Sequence, residues 1–244
     1  MKRLLIPLFL IVALNLQAQH SRKLNPIINH SEIKGPVVKT KLKLRPDVCK
    51  FCQQDTSGGY TSIEDTILHN PICNYELLTN AHLLLTHSVK IARGGIPFFP
   101  SAMNTLYKGS GDSRGHCIPY EDLGYSLISA TASMDLNRNL APQPQNENIG
   151  TKLACENYTR AMALQFGSVK AYGGTFGTVG IMKGINKPSV YWTIIVEPNG
   201  TVETYWMPTT GLLIKYADLP ACKITLNQLV LNLKFDPIKL IAKN

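Results

Sequence analysis

The sequence predicts a mixed α/β protein, because it contains both strand and helix signals. Its 244 residues, of which 44% are hydrophobic, leave room for one sizeable domain and a short second element. The strand signal is strongest in residues 190–207, where VYWTIIV and TVETYWM flank EPNG, a hairpin-turn sequence. The helix signal lies in residues 148–166. There, polar residues at four-residue steps drift only about 40° around a helix and share one side. The apolar side holds Leu153, Ala161 and Leu164, and the polar side holds Asn148, Lys152, Glu156 and Arg160.

Residues 1–18 are typical of a signal peptide that is cleaved after Ala18. A basic start, Met1-Lys2-Arg3, precedes an apolar stretch that is short for crossing a bilayer. The alternative is an uncleaved membrane anchor. No cysteine directly follows the apolar stretch, which disfavours a lipoprotein anchor, and no later segment is long and apolar enough to span a membrane. We therefore expect an exported protein, located in the periplasm or outside the cell, with no membrane partner.

The positive charge of the chain is concentrated in residues 19–45, which form a basic flexible arm without a hydrophobic period. The net charge is +9, and this arm holds seven Lys or Arg residues against a single acid, Glu32. From Pro46 onward the chain is close to neutral. The arm is therefore either a solvated linker or a segment that is attracted to phosphate groups.

Three of the six cysteines lie in residues 46–74, which we interpret as a Cys-containing N-terminal cap on the main domain. Export implies an oxidising compartment, so disulfide bonds are the favoured interpretation. The alternative is a zinc site with four thiolate ligands, which would use Cys49, Cys52, Cys73 and Cys117. The connectivity of the disulfides is left open.

Three further segments are assigned from composition. AHLLLTHSVKIA (81–92) is either a strand or a buried helix, because its apolar residues have no clear period. YSLISATASM (125–134) is rich in small and β-branched residues and is predicted to be a strand. GDSRGHCIPYEDL (111–123) has turn-forming residues on both sides of Arg114-Gly115-His116, which favours a turn or a strand end over a helix interior.

Four ordered elements together resemble a known family. They are Arg114-Gly115-His116, the segment NLAPQ (Asn139–Gln143), then Asn148, and finally Glu156 with Arg160. Alone, the polar helix side would be explained as a solvated face with a Glu–Arg pair, and RGH would be a weak signal. In this order and spacing, the elements resemble the DNA/RNA non-specific endonucleases, the ββα-metal or His-Me finger nucleases, which include endonuclease G-like enzymes. The resemblance covers roughly residues 75–240.

The resemblance implies an α+β fold, in which helices flank a central antiparallel β-sheet and a ββα-metal (His-Me finger) active site is formed. The endonuclease domain would span residues 75–244, and the strand with His116 would meet the helix with Asn148 at one metal site. The expected function is that of a secreted, Mg-dependent, sugar-non-specific endonuclease, which hydrolyses DNA and RNA to products with a 5′-phosphate. No oligomeric state is predicted.

The family's chemistry assigns a role to each matching residue. His116 would be the general base, because the proton affinity of histidine lies near neutral pH. Asn148 would bind Mg²⁺, with Mn²⁺ as a substitute, and the metal would stabilise the leaving oxygen. Magnesium keeps most of its waters and needs few protein ligands. Glu156 would therefore contact the metal through a coordinated water.

Two arginines and one asparagine complete the expected site. Arg114 and Arg160 would offset the charge on the phosphoryl group, and Asn139 would orient the site. Two positions depart from the family pattern, since Ser113 replaces a commonly acidic residue and Lys152 replaces an aromatic one. A lost carboxylate near the metal could lower activity. The alternative function is therefore a catalytically impaired nuclease fold that only binds nucleic acid.

Overall fold

An eight-stranded antiparallel sheet forms the centre of the protein. In the computed structural model, the described residues are 39–42, 49, 51–85, 106–211 and 215–242. The predicted signal peptide lies outside these residues, and so does the predicted basic arm apart from its residues 39–42.

The large sheet includes residues on both sides of the predicted domain boundary. Along the chain the strands are β1 (Lys39–Leu42), β2 (Cys52–Ser57), β3 (Tyr60–Asp65), β4 (Asn70–Thr79), β5 (Asp112–His116), β6 (Leu140–Pro144), β7 (Ser168–Phe176), β8 (Gly180–Met182), β9 (Ile185–Lys187), β10 (Val190–Val196), β11 (Val202–Pro208) and β12 (Lys223–Ile224). The sheet has the order β1-β2-β3-β4-β7-β10-β11-β12, while β5 pairs with β6 and β8 with β9. Residue 75, the predicted start of the endonuclease domain, thus falls within β4.

Short helices and two longer ones connect and cover the strands. They are α1 (Asn80–Leu85), α2 (Tyr120–Leu123), α3 (Leu127–Ser133), α4 (Gln145–Glu147), α5 (Leu153–Phe166), α6 (Leu226–Leu233) and α7 (Pro237–Ala242). A π-helical segment, Asn148–Lys152, precedes α5, and a 3-10 helix, Tyr216–Cys222, precedes β12. Among the described residues, none of the helices is long and apolar enough to cross a membrane.

The hairpin predicted from EPNG is confirmed. Strands β10 and β11 pair antiparallel, from Val190 opposite Pro208 to Val196 opposite Val202. At the turn, the side-chain oxygen of Asn199 accepts a hydrogen bond from the Thr201 N–H at 2.8 Å. Gly200 has a φ of +88°, a left-handed conformation that favours glycine. The Asn-Gly pair therefore sets this turn as the sequence indicates.

Helices cover the sheet on both faces, which explains why VYWTIIV is almost continuously hydrophobic. Tyr191 packs in one core cluster with the buried side chains of α5. Its neighbour Trp192 points to the opposite face and packs in a second cluster with Leu229 and Leu233 of α6. This alternation follows from the two-residue period of a strand. The α+β fold with a central antiparallel sheet flanked by helices is thus confirmed.

The strand predicted for YSLISATASM is wrong, because this segment contains helix α3. Ser126 caps the helix by accepting a hydrogen bond from the Ser129 N–H at 3.1 Å. Tyr60 OH, in the neighbouring strand β3, donates to the Ala132 carbonyl at 2.8 Å. The serine cap and this long-range bond outweigh the strand preference of the β-branched residues. The ambiguous segment AHLLLTHSVKIA begins in helix α1, and its residues from 86 on lie outside the described part.

The helical prediction for residues 148–166 is correct for α5, but the apolar side named from the sequence is not the side that packs. Ala161 is exposed and Leu164 is 51% exposed. Lys152, in contrast, is only 2% exposed. The residues of α5 that are buried are Ala154, Cys155, Thr159, Met162 and Ala163. The row of charged residues therefore runs along the inner edge of the helix.

One disulfide bond joins Cys49 to Cys52, which confirms the disulfide interpretation for this pair. Because both sulfurs are used in the bond, the alternative zinc site with four thiolates is not formed. The other cysteines of the described residues are free and buried, namely Cys73, Cys117, Cys155 and Cys222.

Candidate active site

Strands β5 and β6 place the RGH triplet directly against the NLAPQ segment. In this two-stranded ladder, His116 lies opposite Leu140, Gly115 opposite Ala141 and Arg114 opposite Pro142. His116 is the last residue of β5, which agrees with the strand end that the flanking turn residues favour. The ladder therefore brings together two motifs that are more than twenty residues apart along the chain.

Gly115 separates Arg114 from His116 because no side chain fits at this position. A Cβ added there would overlap with Oε1 of Gln143 and with the hydroxyl of Tyr191, and would lie 2.7 Å from Cβ of Gln143. The Tyr191 hydroxyl also donates a hydrogen bond to the Ala141 carbonyl at 2.9 Å. The glycine thus lets β5 lie close to β6 and β10, and this close packing fixes the position of His116.

The imidazole of His116 is held on one side and has no partner on the other. One ring nitrogen hydrogen-bonds the backbone of Arg114, whereas Nε2 is buried and has no hydrogen-bond partner among the described residues. The pKa of His116 is lowered to about 4, mainly by burial and to a smaller extent by nearby Lys152, while Glu156 opposes this shift. The ring is therefore neutral near neutral pH, and its lone pair on Nε2 is able to accept a proton.

Asn139 is completely buried, and both ends of its amide are fully used within the protein. Its oxygen accepts hydrogen bonds from the Ile118 N–H at 2.8 Å and from Asn74 Nδ2 at 2.9 Å. Its nitrogen donates to the carbonyls of Ile118 at 2.7 Å and Ser133 at 2.8 Å. These bonds fix the chain just after His116. The amide of Asn139 thus has a structural use in these contacts.

Asn148 lies where the backbone turns into helix α5. It begins the π-helical segment, which is interrupted at Gly150, where φ is −101° and ψ is −117°. The Asn148 side chain is half-buried, and among the described residues it has no hydrogen-bond partner. An amide oxygen is a hard donor of the kind that Mg²⁺ prefers. The residues present therefore fit a hydrated divalent cation held by few protein ligands.

No richer ligand set is present in the part of the chain that the structure describes. There, no group of three or more His, Cys, Asp or Glu side chains is arranged to hold a metal ion.

Lys152 and Glu156 form an ion pair inside the protein. Nζ of Lys152 lies 2.8 Å from Oε1 of Glu156, and their side chains are 3% and 14% exposed. Burial lowers the pKa of Lys152, but the charge of Glu156, its hydrogen bond and the neighbouring cysteines together raise it, so this pKa lies above its ordinary value. Lys152 is therefore charged.

Arg160 is surrounded by acids. Its Nε donates to Oδ1 of Asp122 at 2.5 Å, and its terminal nitrogens lie 2.9 Å from Glu121 and 3.8 Å from Glu156. The same guanidinium donates to Oδ1 of Asn157 at 3.1 Å. The sequence predicts Arg160 beside the phosphate, whereas its contacts here are with α2 and with its own helix.

Arg114 and Ser113 precede Gly115 and His116 in strand β5. The guanidinium of Arg114 lies 5.9 Å from the centre of the Tyr107 ring. Ser113, which replaces the acid expected from the family pattern, donates a hydrogen bond to Oε1 of Gln145. Ser113 thus joins β5 to helix α4, just before Asn148.

Comparison with known proteins agrees with this geometry. The sequence model of the DNA/RNA non-specific endonuclease family matches residues 94–230, a range that includes every predicted site residue. The chain belongs to this family. It is therefore a nuclease, a phosphodiester hydrolase of a metal-dependent family, and its substrates are DNA and RNA.

The fold is similar to a solved one. A chain of the EndoG/EndoGI complex, a crystal structure concerned with the mechanism of EndoG inhibition, superposes with a TM-score of 0.57. Its sequence is 19% identical, and the match covers 75% of this chain and 86% of that one. At this identity the likeness concerns the fold alone. No curated protein matches the sequence.

Two acids that the sequence motifs did not indicate lie close to the predicted site residues. A pocket is lined by Lys152, Glu156, Asp122, Glu76 of β4 and Cys117, the residue that follows His116, among others. Glu76 and Asp122 are 2% and 1% exposed, and burial raises the pKa of both carboxyl groups. Glu76 is the only acid within the otherwise uncharged strand NPICNYELLT. That isolated charge was the one available signal.

Proposed function

We propose that the protein is an exported, magnesium-dependent, sugar-non-specific endonuclease that cleaves DNA and RNA to leave 5′-phosphate ends. The observation that carries this proposal is the fixed orientation of the His116 ring and the availability of its Nε2 atom. Its ring is held by the Arg114 backbone, and its Nε2 has no partner within the part of the chain that the structure describes. A neutral imidazole in a fixed orientation is the arrangement that a general base requires.

His116 takes the proton of the attacking water in this proposal. Asn139 acts indirectly, because its four hydrogen bonds hold the backbone on the C-terminal side of His116. Gly115 acts indirectly as well, since it lets the strand of His116 pack closely. The base is thus positioned before substrate binds, which lowers the entropy cost of the reaction.

Asn148 would hold the divalent cation directly, and Glu156 would hold one of its waters. When bound, Mg²⁺ or Mn²⁺ supplies positive charge at the phosphoryl oxygens and at the leaving oxygen. The unpartnered amide of Asn148 supports this assignment. Glu156 keeps its orientation through its ion pair with Lys152.

The two arginines would contribute in different ways. Arg114, on β5 beside His116, is the group that we assign to the phosphate, because a guanidinium donates several parallel hydrogen bonds to phosphate oxygens. Arg160 would act by holding Asp122 and Glu121 against α5. Contacts to phosphate and metal carry little base information, which suits a non-specific nuclease.

Export is proposed from the sequence of residues 1–18 and is supported by the Cys49–Cys52 disulfide, since disulfides persist in oxidising compartments. In that setting the nuclease would act on nucleic acid outside the cytoplasm.

The test compares the purified protein with a His116→Ala variant on supercoiled plasmid and on folded RNA, each with Mg²⁺ or with EDTA. We expect the wild type to degrade both substrates only with metal, and the variant to lose activity by at least about a hundredfold. A wild type that shifts both nucleic acids on a gel but leaves them intact would instead establish the impaired, binding-only alternative. A third arm identifies the product ends by ligation, because DNA ligase joins fragments that carry a 5′-phosphate and a 3′-hydroxyl and does not join fragments with the opposite ends.

A further inference from the structure

The proposed mechanism uses Lys152 only to orient Glu156, although this lysine is almost completely buried. Lysine is rarely buried unless it is paired, and here its side chain is 3% exposed at the start of α5. It lines a pocket together with Cys117 and with the acids Glu156, Glu76 and Asp122. Too little of the side chain is exposed for it to contact a nucleic acid directly. Any effect on the reaction must therefore act through a neighbouring side chain or through the charge of the ammonium.

That neighbour is Glu156. The distance from Lys152 Nζ to Glu156 Oε1 is 2.8 Å, within hydrogen-bond range. Arg160 lies 3.8 Å from the other carboxylate oxygen and is closer to Asp122 and Glu121. Lys152 is thus the main partner of the carboxylate to which we assign a water of the metal ion.

We propose that Lys152 is a positioning residue that weakens the binding of the divalent cation at this site, because its ammonium both pairs with Glu156 and repels a second cation. This inference rests on the proposed function for the roles of Asn148 and Glu156. The ammonium is fixed in a poorly solvated place, where charges interact more strongly than they do in water. Removing its charge should therefore tighten metal binding.

The experiment measures Mn²⁺ affinity by electron paramagnetic resonance on the purified protein without nucleic acid. Mn²⁺ is chosen because it uses the same oxygen ligands as Mg²⁺ and is detected directly. Lys152→Gln removes the charge but keeps an N–H donor for Glu156, whereas Lys152→Arg keeps the charge. We expect Lys152→Gln to lower the dissociation constant roughly tenfold, as changes next to metal ligands often alter affinity by that much. Lys152→Arg should stay close to wild type.

A matched control is Lys223→Gln. Lys223 also pairs with a glutamate, Glu203, at 3.2 Å, but its side chain is 51% exposed. This variant changes the net charge of the protein equally, so it should leave the Mn²⁺ dissociation constant unchanged. Equal affinities for wild type and Lys152→Gln, or weaker binding by Lys152→Gln, would overturn the inference.

Lys152→Gln could fail to fold because it leaves the Glu156 carboxylate without its cation. A second pair of variants avoids this problem by removing the carboxylate as well. Glu156→Gln keeps the lysine charge, and Lys152→Gln/Glu156→Gln replaces both charges with amides. The double variant should bind Mn²⁺ more tightly than Glu156→Gln, and equal affinity would count against the inference. The nuclease assay separates the two claims. If the wild type cleaves and has the same Mn²⁺ affinity as Lys152→Gln, only the role of Lys152 is overturned. If Lys152→Gln binds Mn²⁺ more tightly but the wild type does not cleave, only the proposed function is overturned.

Discussion

Nε of Arg160 donates a hydrogen bond to Oδ1 of Asp122 at 2.5 Å and thereby joins helix α5 to the segment that follows His116. Asp122 is almost fully buried, with a side chain that is 1% exposed, while that of Arg160 is 15% exposed. The guanidinium also contacts Glu121 at 2.9 Å. Strand β5 and helix α5 are far apart along the chain, so this contact helps to assemble the site.

The first prediction concerns the cost of breaking this contact. Arg160→Met leaves the Asp122 carboxylate buried without its cation, and loss of one partner of a buried pair costs about 3–5 kcal/mol. Urea unfolding should show a loss of this size. The matched control is Lys223→Met, which breaks the pair with Glu203 at an exposed lysine. That change should cost at most about 1 kcal/mol. An Arg160→Met variant that keeps its stability but loses nuclease activity would instead place Arg160 at the phosphate.

The hairpin and the helix α3 show which parts of the fold the sequence could predict. The EPNG turn was predictable because Asn199 and Gly200 supply local chemistry that few other conformations satisfy. Helix α3 was not predicted, because its β-branched residues favour a strand and the decisive hydrogen bond comes from Tyr60, more than seventy residues away. Long-range contacts of this kind have no signature in a local window of sequence.

The candidate active site also has features that the sequence indicates and features that depend on tertiary packing. The residues that match the family motif, such as His116 and Asn148, could be named from their order and spacing, and their roles stay predictions. The direction in which the charged row of α5 points was not, because an i,i+4 pair of lysine and glutamate has the same spacing on a solvated face and inside a pocket. Only the tertiary packing reveals that Lys152 is buried. For the same reason no local pattern indicated that Asp122 would hold Arg160.

The second prediction tests why glycine separates Arg114 from His116. Gly115→Ala places a Cβ against Gln143 and Tyr191, so β5 must move away from its neighbours. Overpacking of this kind costs about 1–3 kcal/mol, and the displaced His116 should lower kcat more than it raises KM. The control is Gly180→Ala, also in a strand, where the nearest atom to the added Cβ is 3.9 Å away. A Gly115→Ala variant with wild-type kcat and melting temperature would contradict this account of the packing.

The third prediction concerns the cysteines. Because Cys73, Cys117, Cys155 and Cys222 are buried and free, the native protein should react slowly with a thiol reagent, and four thiols should appear on unfolding without reductant. Burial raises the pKa of Cys117 to about 12, which keeps this thiol protonated and unreactive. The measurement is thiol counting by mass spectrometry after alkylation, with and without denaturant. Fewer than four alkylated cysteines in the unfolded protein would reveal a second disulfide.

The last prediction is the pH dependence of cleavage. Burial lowers the pKa of His116 to about 4, so the imidazole is neutral, and able to accept a proton, at every pH above that value. At saturating metal, kcat/KM should therefore fall on the acid side with a midpoint well below the ordinary histidine pKa of about 6.5. The unfolded state binds this proton between about pH 6.5 and pH 4 while the folded state does not, so stability should also decrease as the pH falls through that range. Replacing His116 with Gln removes the titrating group, and this variant should lose less stability over the same range. An acid limb near pH 6.5, together with equal pH-stability curves for wild type and variant, would show that His116 is solvated and that its base strength is not set by burial.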